Sequence, residues 1–302
     1  MAQRTAKQRR ADNARQAKLA QLKAAERRRR ARVIGSLGAV GVIIVIVLIM
    51  VGIKLGTGNS DNGAAVSDAG AGRVVGKVTS VPAGVFAKIG AGSVSNPPKG
   101  INGTSLTENG KPKILYVGGE FCPYCAAERW AVVAALSRFG TWSNVGLTSS
   151  SSTDVFPNTP TLSFHGASYS SDYVAFAGYE TTDRNQQPLD SLPSADKKIL
   201  NKYGVEPYVP GAQPGQPPIP FIYFGGKFLS SGASYDPGVL KGLTHAQVAK
   251  AMHDPSSDVA KAVDGSANTI TAAVCRLTGN KPANVCSATG VQAAASKRQP
   301  AS

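Results

Sequence analysis

The sequence predicts an α/β domain outside a membrane, preceded by one N-terminal spanning helix. Three observations predict it. β-rich and helical patterns alternate between residues 113 and 277, an uncharged apolar run covers residues 33–53, and a C-x-x-C pair sits where a strand pattern gives way to a helix pattern. With 302 residues, 42% hydrophobic and 17% charged, the chain is long enough to bury an ordinary domain core.

Residues 1–32 form a basic tail. They hold twelve Lys/Arg against Asp12 and Glu26, and so carry +10 of the formal +15. The remainder is only mildly basic, which excludes a nucleic-acid-binding face as the source of the charge. Residues 33–53 contain no charge from Val33 to Ile53 and are closed by Lys54. At about 1.5 Å per residue the run reaches roughly 31 Å, a hydrocarbon thickness, and is longer than a secretory h-region. The arginines at 27–30 and 32 then stay cytoplasmic, so the expected topology is single-pass, N-terminus in, with the rest of the chain extracytoplasmic. Residues 54–72 are small and polar and read as a flexible linker. Residues 73–290 make the expected extracytoplasmic domain, and 291–302 a frayed tail.

Within the domain, Val74 to Val81 reads as a strand and Pro82 to Ile89 as a short helix, followed by a loop rich in Pro, Gly and Asn to Gly110. Lys113 to Gly119 reads as a buried strand and Ala126 to Phe139 as a helix ended by Gly140. Val145 to Thr148, Thr161 to Phe164 and Tyr173 to Tyr179 are β-rich. Ser194 to Tyr203 is a helix with Ser194 as cap and Gly204 at its end. Ile219 to Phe224 and Lys227 to Ser230, joined by Gly225-Gly226, form a hairpin. Thr244 to Met252 opens with a capping box, Thr244 and Gln247, and Ser257 to Leu277 is a further helix.

The chemistry concentrates at Cys122-Pro123-Tyr124-Cys125. A helix start presents unpaired N–H groups and positive dipole charge to the first sulfur, which favours thiolate. Pro123 suits the first helical turn, where no backbone donor is needed. Cys122 is therefore the expected attacking thiolate and Cys125 the resolving thiol. Tyr124 between them shapes partner contact. Haem attachment fails because Ala126 stands where C-x-x-C-H requires His. Zinc would need two more ligands from Cys275, Cys286, His165, His245 and His253, with no second C-x-x-C in the chain. No cofactor and no metal are expected. Glu120 is either a proton acceptor for the resolving thiol or a solvated loop carboxylate, and Arg129 either favours thiolate or lies at the surface. All four cysteines follow residue 53; Cys275 and Cys286 are expected to form a structural disulfide, with a second redox couple as the alternative.

The succession strand, Glu120-Phe121-Cys122-Pro123-Tyr124-Cys125, helix, then Ile219-Pro220 and a hairpin resembles the thioredoxin superfamily, and the CPYC tetrapeptide is that of glutaredoxins. The resemblance covers about residues 113–252. It implies a thioredoxin-like sandwich in which the Ile219–Pro220 bond is cis, lies against the redox pair and pairs with extended substrate; the other reading of Pro220 is an ordinary edge-strand proline. The 98 residues from Cys122 to Pro220 imply an insertion between the C-x-x-C helix and the proline strand. More narrowly, GGEFCPYCAAERWAVVAALSRFG resembles the signature of a domain-of-unknown-function family of membrane-anchored, thioredoxin-like bacterial and archaeal proteins. The implied activity is thiol-disulfide exchange with thiols and disulfides of secreted or membrane proteins, completed by a separate redox partner and involving no nucleic acid. Oxidase, reductase and isomerase stay open as directions, and the rival class is a non-catalytic binding module with a structural Cys122–Cys125 bridge.

Overall fold

Two helices open the fold, both shaped by spacing rather than by residue type. The computed structural model describes residues 68–296, which all belong to one unit. The basic tail 1–32, the expected span 33–53, linker residues 54–67 and the end of the tail, 297–302, lie outside the described residues. Helix α1 runs Asp68–Thr79, where a strand was expected from Val74. Its β-branched residues suggested extended chain, yet Val74 and Val78 stand one turn apart and are both buried. Helix α2, Ala83–Ile89, follows Pro82 and ends at Gly90.

The sheet forms around β3, Lys111–Gly118. It is preceded by two short pieces, β1 (Lys99–Gly100) and β2 (Thr107–Glu108), inside the stretch expected to be loop. Helix α3, Pro123–Leu136, leaves the end of β3 through the Cys122 turn. Next come β4 (Gly140–Ser143), β5 (Gly146–Ser149), β6 (Pro160–Ser163), β7 (Ser168–Ser171) and β8 (Ala175–Glu180). β4 pairs β7 and β5 pairs β6 as two small antiparallel sheets. β4 and β7 were not expected, since their Gly, Ser and Thr content gives no apolar alternation; Trp142 and Tyr169 hold them against Phe164 and Phe176.

Helix α4, Ser194–Tyr203, ends at Gly204 as expected, but Pro193 takes the cap position and no side chain caps it. β9 (Phe221–Phe224) and β10 (Phe228–Ser231) form the expected hairpin, with Gly225 and Gly226 both at positive φ, 56° and 90°. In the main sheet β10, β9 and β3 are successive antiparallel neighbours, β1 adds to β10, and β8 runs parallel to β3 from Lys113↔Ala175 to Gly118↔Glu180. Both faces of β3 are covered. Ile114 and Tyr116 join the core under α3, while Leu115 and Val117 pack with Leu200, Tyr203 and Phe221 on the other side. That two-sided burial accounts for its uninterrupted apolar run.

The C-terminal part is helical: α5 (His245–Ala251) with the full Thr244/Gln247 capping box, α6 (Asp258–Leu277) capped by Ser257, α7 (Ala283–Cys286) and α8 (Thr289–Ala295). α8 occupies part of the expected frayed tail, because Val291 and Ala294 are buried and Gly290 lets its backbone close on Phe86 O.

The expectation of a thioredoxin-like sandwich preceded by a single N-terminal transmembrane helix is corrected. The described residues form a mixed α/β fold, and among them no helix is long and apolar enough to cross a membrane. The longest, α6, contains Asp258, Lys261, Asp264 and Arg276. It is nonetheless buried over most of its length, packed among α3, α2 and α8 and touching β9.

Candidate active site

At the end of β3, Gly118 and Gly119 turn the chain into α3. Gly118 has no room for a side chain, since a Cβ there would come within 2.5 Å of Tyr116 Oη. Cys122 is the helix N-cap, its N–H donating to Gly119 O at 3.2 Å and its carbonyl accepting from Ala126 N–H at 2.9 Å. Pro123 occupies the first turn, as the sequence predicted, where its missing N–H costs no hydrogen bond. The Cys125 N–H points back at Cys122 Sγ, 3.3 Å away.

The two sulfurs meet different surroundings. Cys122 is 7% exposed and Cys125 fully buried, and both are free thiols. The Cys125 side chain, donating to Cys122 Sγ, holds the Cys122 thiol below its ordinary value; the Cys125 N–H and the charge of Arg129 act in the same direction, against burial. Burial pushes the Cys125 thiol well up, reinforced by its bond to Cys122. One sulfur is thus set to ionise first and the other to keep its proton.

Opposite Cys122 stands the Ile219–Pro220 segment. Its peptide bond is cis, and the Ile219 carbonyl lies 3.9 Å from Cys122 Sγ, within reach of the thiol. Pro220 is buried and Ile219 half-buried. Tyr124 is 42% exposed at the mouth, and its ring meets Phe156 edge-on with centroids 6.0 Å apart. The loop carrying Phe156 is tied to the turn by Ser151 N–H donating to Phe121 O at 2.8 Å.

Behind the pair lies a charge couple with no access to solvent. Arg129 Nε and Nη2 donate to Glu180 Oε1 and Oε2 at 2.7 and 2.6 Å, and Nη2 also to Gly119 O at 2.7 Å; both side chains are 0% exposed. Arg129 therefore stands inside the molecule, one turn beyond Cys125. Beside it the buried Tyr116 hydroxyl has no hydrogen-bond partner among the described residues.

The structure brings Cys122, Pro123, Tyr124, Cys125 and Pro220 together. Glu120 is turned elsewhere: its carboxylate accepts from Ser163 Oγ at 2.5 Å and Thr148 Oγ1 at 3.3 Å. His165 pairs with Asp190 at 2.7 Å on an exposed surface. Cys275 and Cys286 are joined, with Cα atoms 5.6 Å apart. Among the described residues no group of three or more His, Cys, Asp or Glu is placed to hold a metal ion. Sequence reasoning missed Tyr116 and Glu180, which reach the site only because β3 and β8 run in parallel with Gly118 opposite Glu180.

A family model described as Domain of unknown function (DUF929) matches residues 98–276, more than half of the chain. The chain belongs to that family. No curated protein and no solved structure matches it. The DUF929 match begins just before β1 and takes in both free cysteines, Arg129, Glu180 and the Ile219–Pro220 segment. It ends within α6 one residue after Cys275, so the Cys275–Cys286 bridge joins the DUF929 domain to the helices that follow it.

Proposed function

We propose that this protein is a thiol-disulfide oxidoreductase of an oxidising, extracytoplasmic compartment, acting on thiols and disulfides of other proteins through Cys122 and Cys125. The observation that carries this reading is the unequal pair of sulfurs at the start of α3: Cys122 is 7% exposed, receives the Cys125 N–H and faces the Ile219 carbonyl, while Cys125 is fully buried, and these surroundings shift the first thiol down and the second up. The Cys275–Cys286 bridge supports the choice of compartment, since such bridges persist where thiols are not kept reduced.

In the reductive direction the Cys122 thiolate attacks one sulfur of a protein disulfide. A bond forms between Cys122 Sγ and that sulfur, and the other substrate sulfur leaves with the electron pair and takes up a proton. Cys125 then loses its proton and attacks Cys122 Sγ. The mixed disulfide breaks, the second substrate thiol is released, and the pair is left as a disulfide, two electrons having passed to the substrate. The oxidative direction is the same sequence reversed. A separate thiol or disulfide partner resets the pair.

The test is titration of the purified full-length protein in glutathione buffers, with alkylated cysteines mapped by mass spectrometry at each potential. Reversible titration of Cys122 and Cys125 between about −120 and −270 mV is expected. A pair that stays oxidised well below about −300 mV would overturn the reading in favour of a structural bridge.

A further inference from the structure

Next to Arg129 on the redox helix, Glu128 points about 100° away from it and is equally buried, at 0% exposure. Its two carboxylate oxygens are both used, and both by one residue. Ser234 N–H donates to Oε2 at 2.8 Å and Ser234 Oγ to Oε1 at 2.7 Å. The next residue repeats the tie, Tyr235 Oη donating to Ala127 O at 2.5 Å.

Ser234 belongs to the short segment that leaves β10. Two residues earlier, Gly232 N–H donates to Pro220 O at 2.9 Å. Ile219, whose carbonyl faces Cys122 Sγ at 3.9 Å, is the residue immediately before that proline. A continuous path therefore starts on α3 at Glu128, passes through Ser234 and Gly232 to Pro220, and returns to the same helix at Cys122. Asn96 also holds this segment, its side chain donating to Ser231 O at 2.9 Å, but from a loop outside the redox helix. Ser234 O is held from the same loop by the Ser95 and Asn96 N–H groups at 3.0 and 3.2 Å, and Phe221 pairs with Val117 on β3. Among the described residues, the Glu128 and Ala127 contacts are the hydrogen bonds that tie the 234–235 segment to the helix carrying the cysteines.

We propose that Glu128 is a positioning residue of the redox site, holding the Ile219–Pro220 wall at its distance from Cys122 through the 232–234 segment. This rests on the redox reading of Cys122 and Cys125 and deepens it. The wall does two things to Cys122. It limits access to the sulfur, and its carbonyl accepts from the thiol and so favours the uncharged form. Releasing the wall acts in one direction on both counts: Cys122 becomes more reactive towards a small electrophile at a given pH.

The experiment measures iodoacetamide alkylation of the reduced full-length protein from pH 5 to 9, with Cys122 and Cys125 resolved by mass spectrometry and thermal unfolding followed in parallel. Glu128→Ala is expected to speed alkylation of Cys122 roughly threefold below neutral pH, the size of one weak hydrogen bond lost, and to move its midpoint to lower pH. Cys125 is expected to stay protected. Glu128→Gln is expected to restore the original profile, because its amide oxygen accepts from Ser234 N–H and its amide nitrogen donates to Ser234 Oγ. Ser234→Ala, which removes one of the two bonds, gives an intermediate profile and carries the test if Glu128→Ala does not fold.

An unchanged Cys122 profile overturns the proposal. So does an equal rise at Cys122 and Cys125, which marks general loosening, and so does a Gln variant as altered as Ala, which would make charge rather than geometry the operative property. The readout is alkylation, not turnover. If the glutathione titration shows a locked pair while Cys122 responds selectively to Glu128→Ala, the redox reading fails and the positioning role stands; the reverse pattern separates the two equally well.

Discussion

Glu180→Ala isolates one partner of the ion pair behind the cysteines. In the wild-type protein the Arg129 guanidinium is wholly buried and its charge is met by a bidentate contact to Glu180. After truncation it keeps only uncharged acceptors, Gly119 O at 2.7 Å and Thr161 Oγ1 at 3.4 Å. A buried charge deprived of its partner costs about 3–5 kcal/mol, a large share of the roughly 5–15 kcal/mol that holds a domain folded. Removing both charges is different. An Arg129→Met/Glu180→Leu protein replaces the pair with apolar volume and is expected to recover most of the loss, because a buried ion pair gains little over a packed hydrophobic pair once desolvation is counted. The assay is urea unfolding followed by tryptophan fluorescence, for which Trp130 and Trp142 are both buried reporters. Midpoints should fall for Glu180→Ala at unchanged m-value and return for the double variant. A loss below about 1 kcal/mol for Glu180→Ala, or a double variant no more stable than the single, would refute the argument that this pair is a dry, mutually dependent unit.

Three further outcomes follow from the same geometry. Cys125→Ser is expected to accumulate mixed disulfides at Cys122 when offered a disulfide-bonded protein, and Cys122→Ser none, read on non-reducing gels; trapping at Cys125 in the Cys122→Ser protein would reverse the assigned roles. Asp264 is buried with both carboxylate oxygens unpartnered among the described residues, and burial pushes it up to about 8. A carboxyl raised in the folded state favours folding at low pH and loses that contribution as pH climbs from about 4 through 8, so Asp264→Asn should raise the unfolding temperature at pH 8.5 and leave it nearly unchanged at pH 4. Removing the Cys275–Cys286 bridge as a double alanine variant should cost about 3 kcal/mol in the chain-entropy account of its 11-residue separation, measured by urea unfolding with and without reductant.

What the sequence showed and what it hid divide along a physical line. Local signals were legible: the buried strand before the cysteines, Pro123 in the first turn of α3, the Gly225-Gly226 hairpin, the Thr244/Gln247 capping box and the proximity of Cys275 and Cys286 all depend on residues within a few positions of one another. The α1 stretch misled because Val74, Val75 and Val78 satisfy a strand by composition and a helix by spacing, and burial against α3 and α5 favours the helix. The fold class itself was misjudged, since nothing in a linear pattern reveals that α6 is enclosed by α3, α2, α8 and β9. For the site, chain distance was the barrier. Glu180 is 51 residues from Arg129, and Ser234 is 106 from Glu128, so neither pairing leaves a trace in motif spacing.

The helix that carries the cysteines explains why adjacent acidic and basic residues could not be read as surface charge. Every residue of α3 except Tyr124 is buried. Such a helix has no solvated face, so Glu128 and Arg129 must each find a partner, and being neighbours on a helix they point about 100° apart and find different ones. Arg129 reaches Glu180 at the end of β8, and Glu128 reaches Ser234 after β10. The two partners therefore tie the helix to the end of β8 and to the segment that follows β10. A cysteine turn held in this way leaves Cys122 as the more accessible sulfur, because Cys125 has no exposure at all and Tyr124 and Ile219 lie beside the turn. In the proposed exchange, the rate is set by how well a partner's sulfur aligns with the Cys122 sulfur.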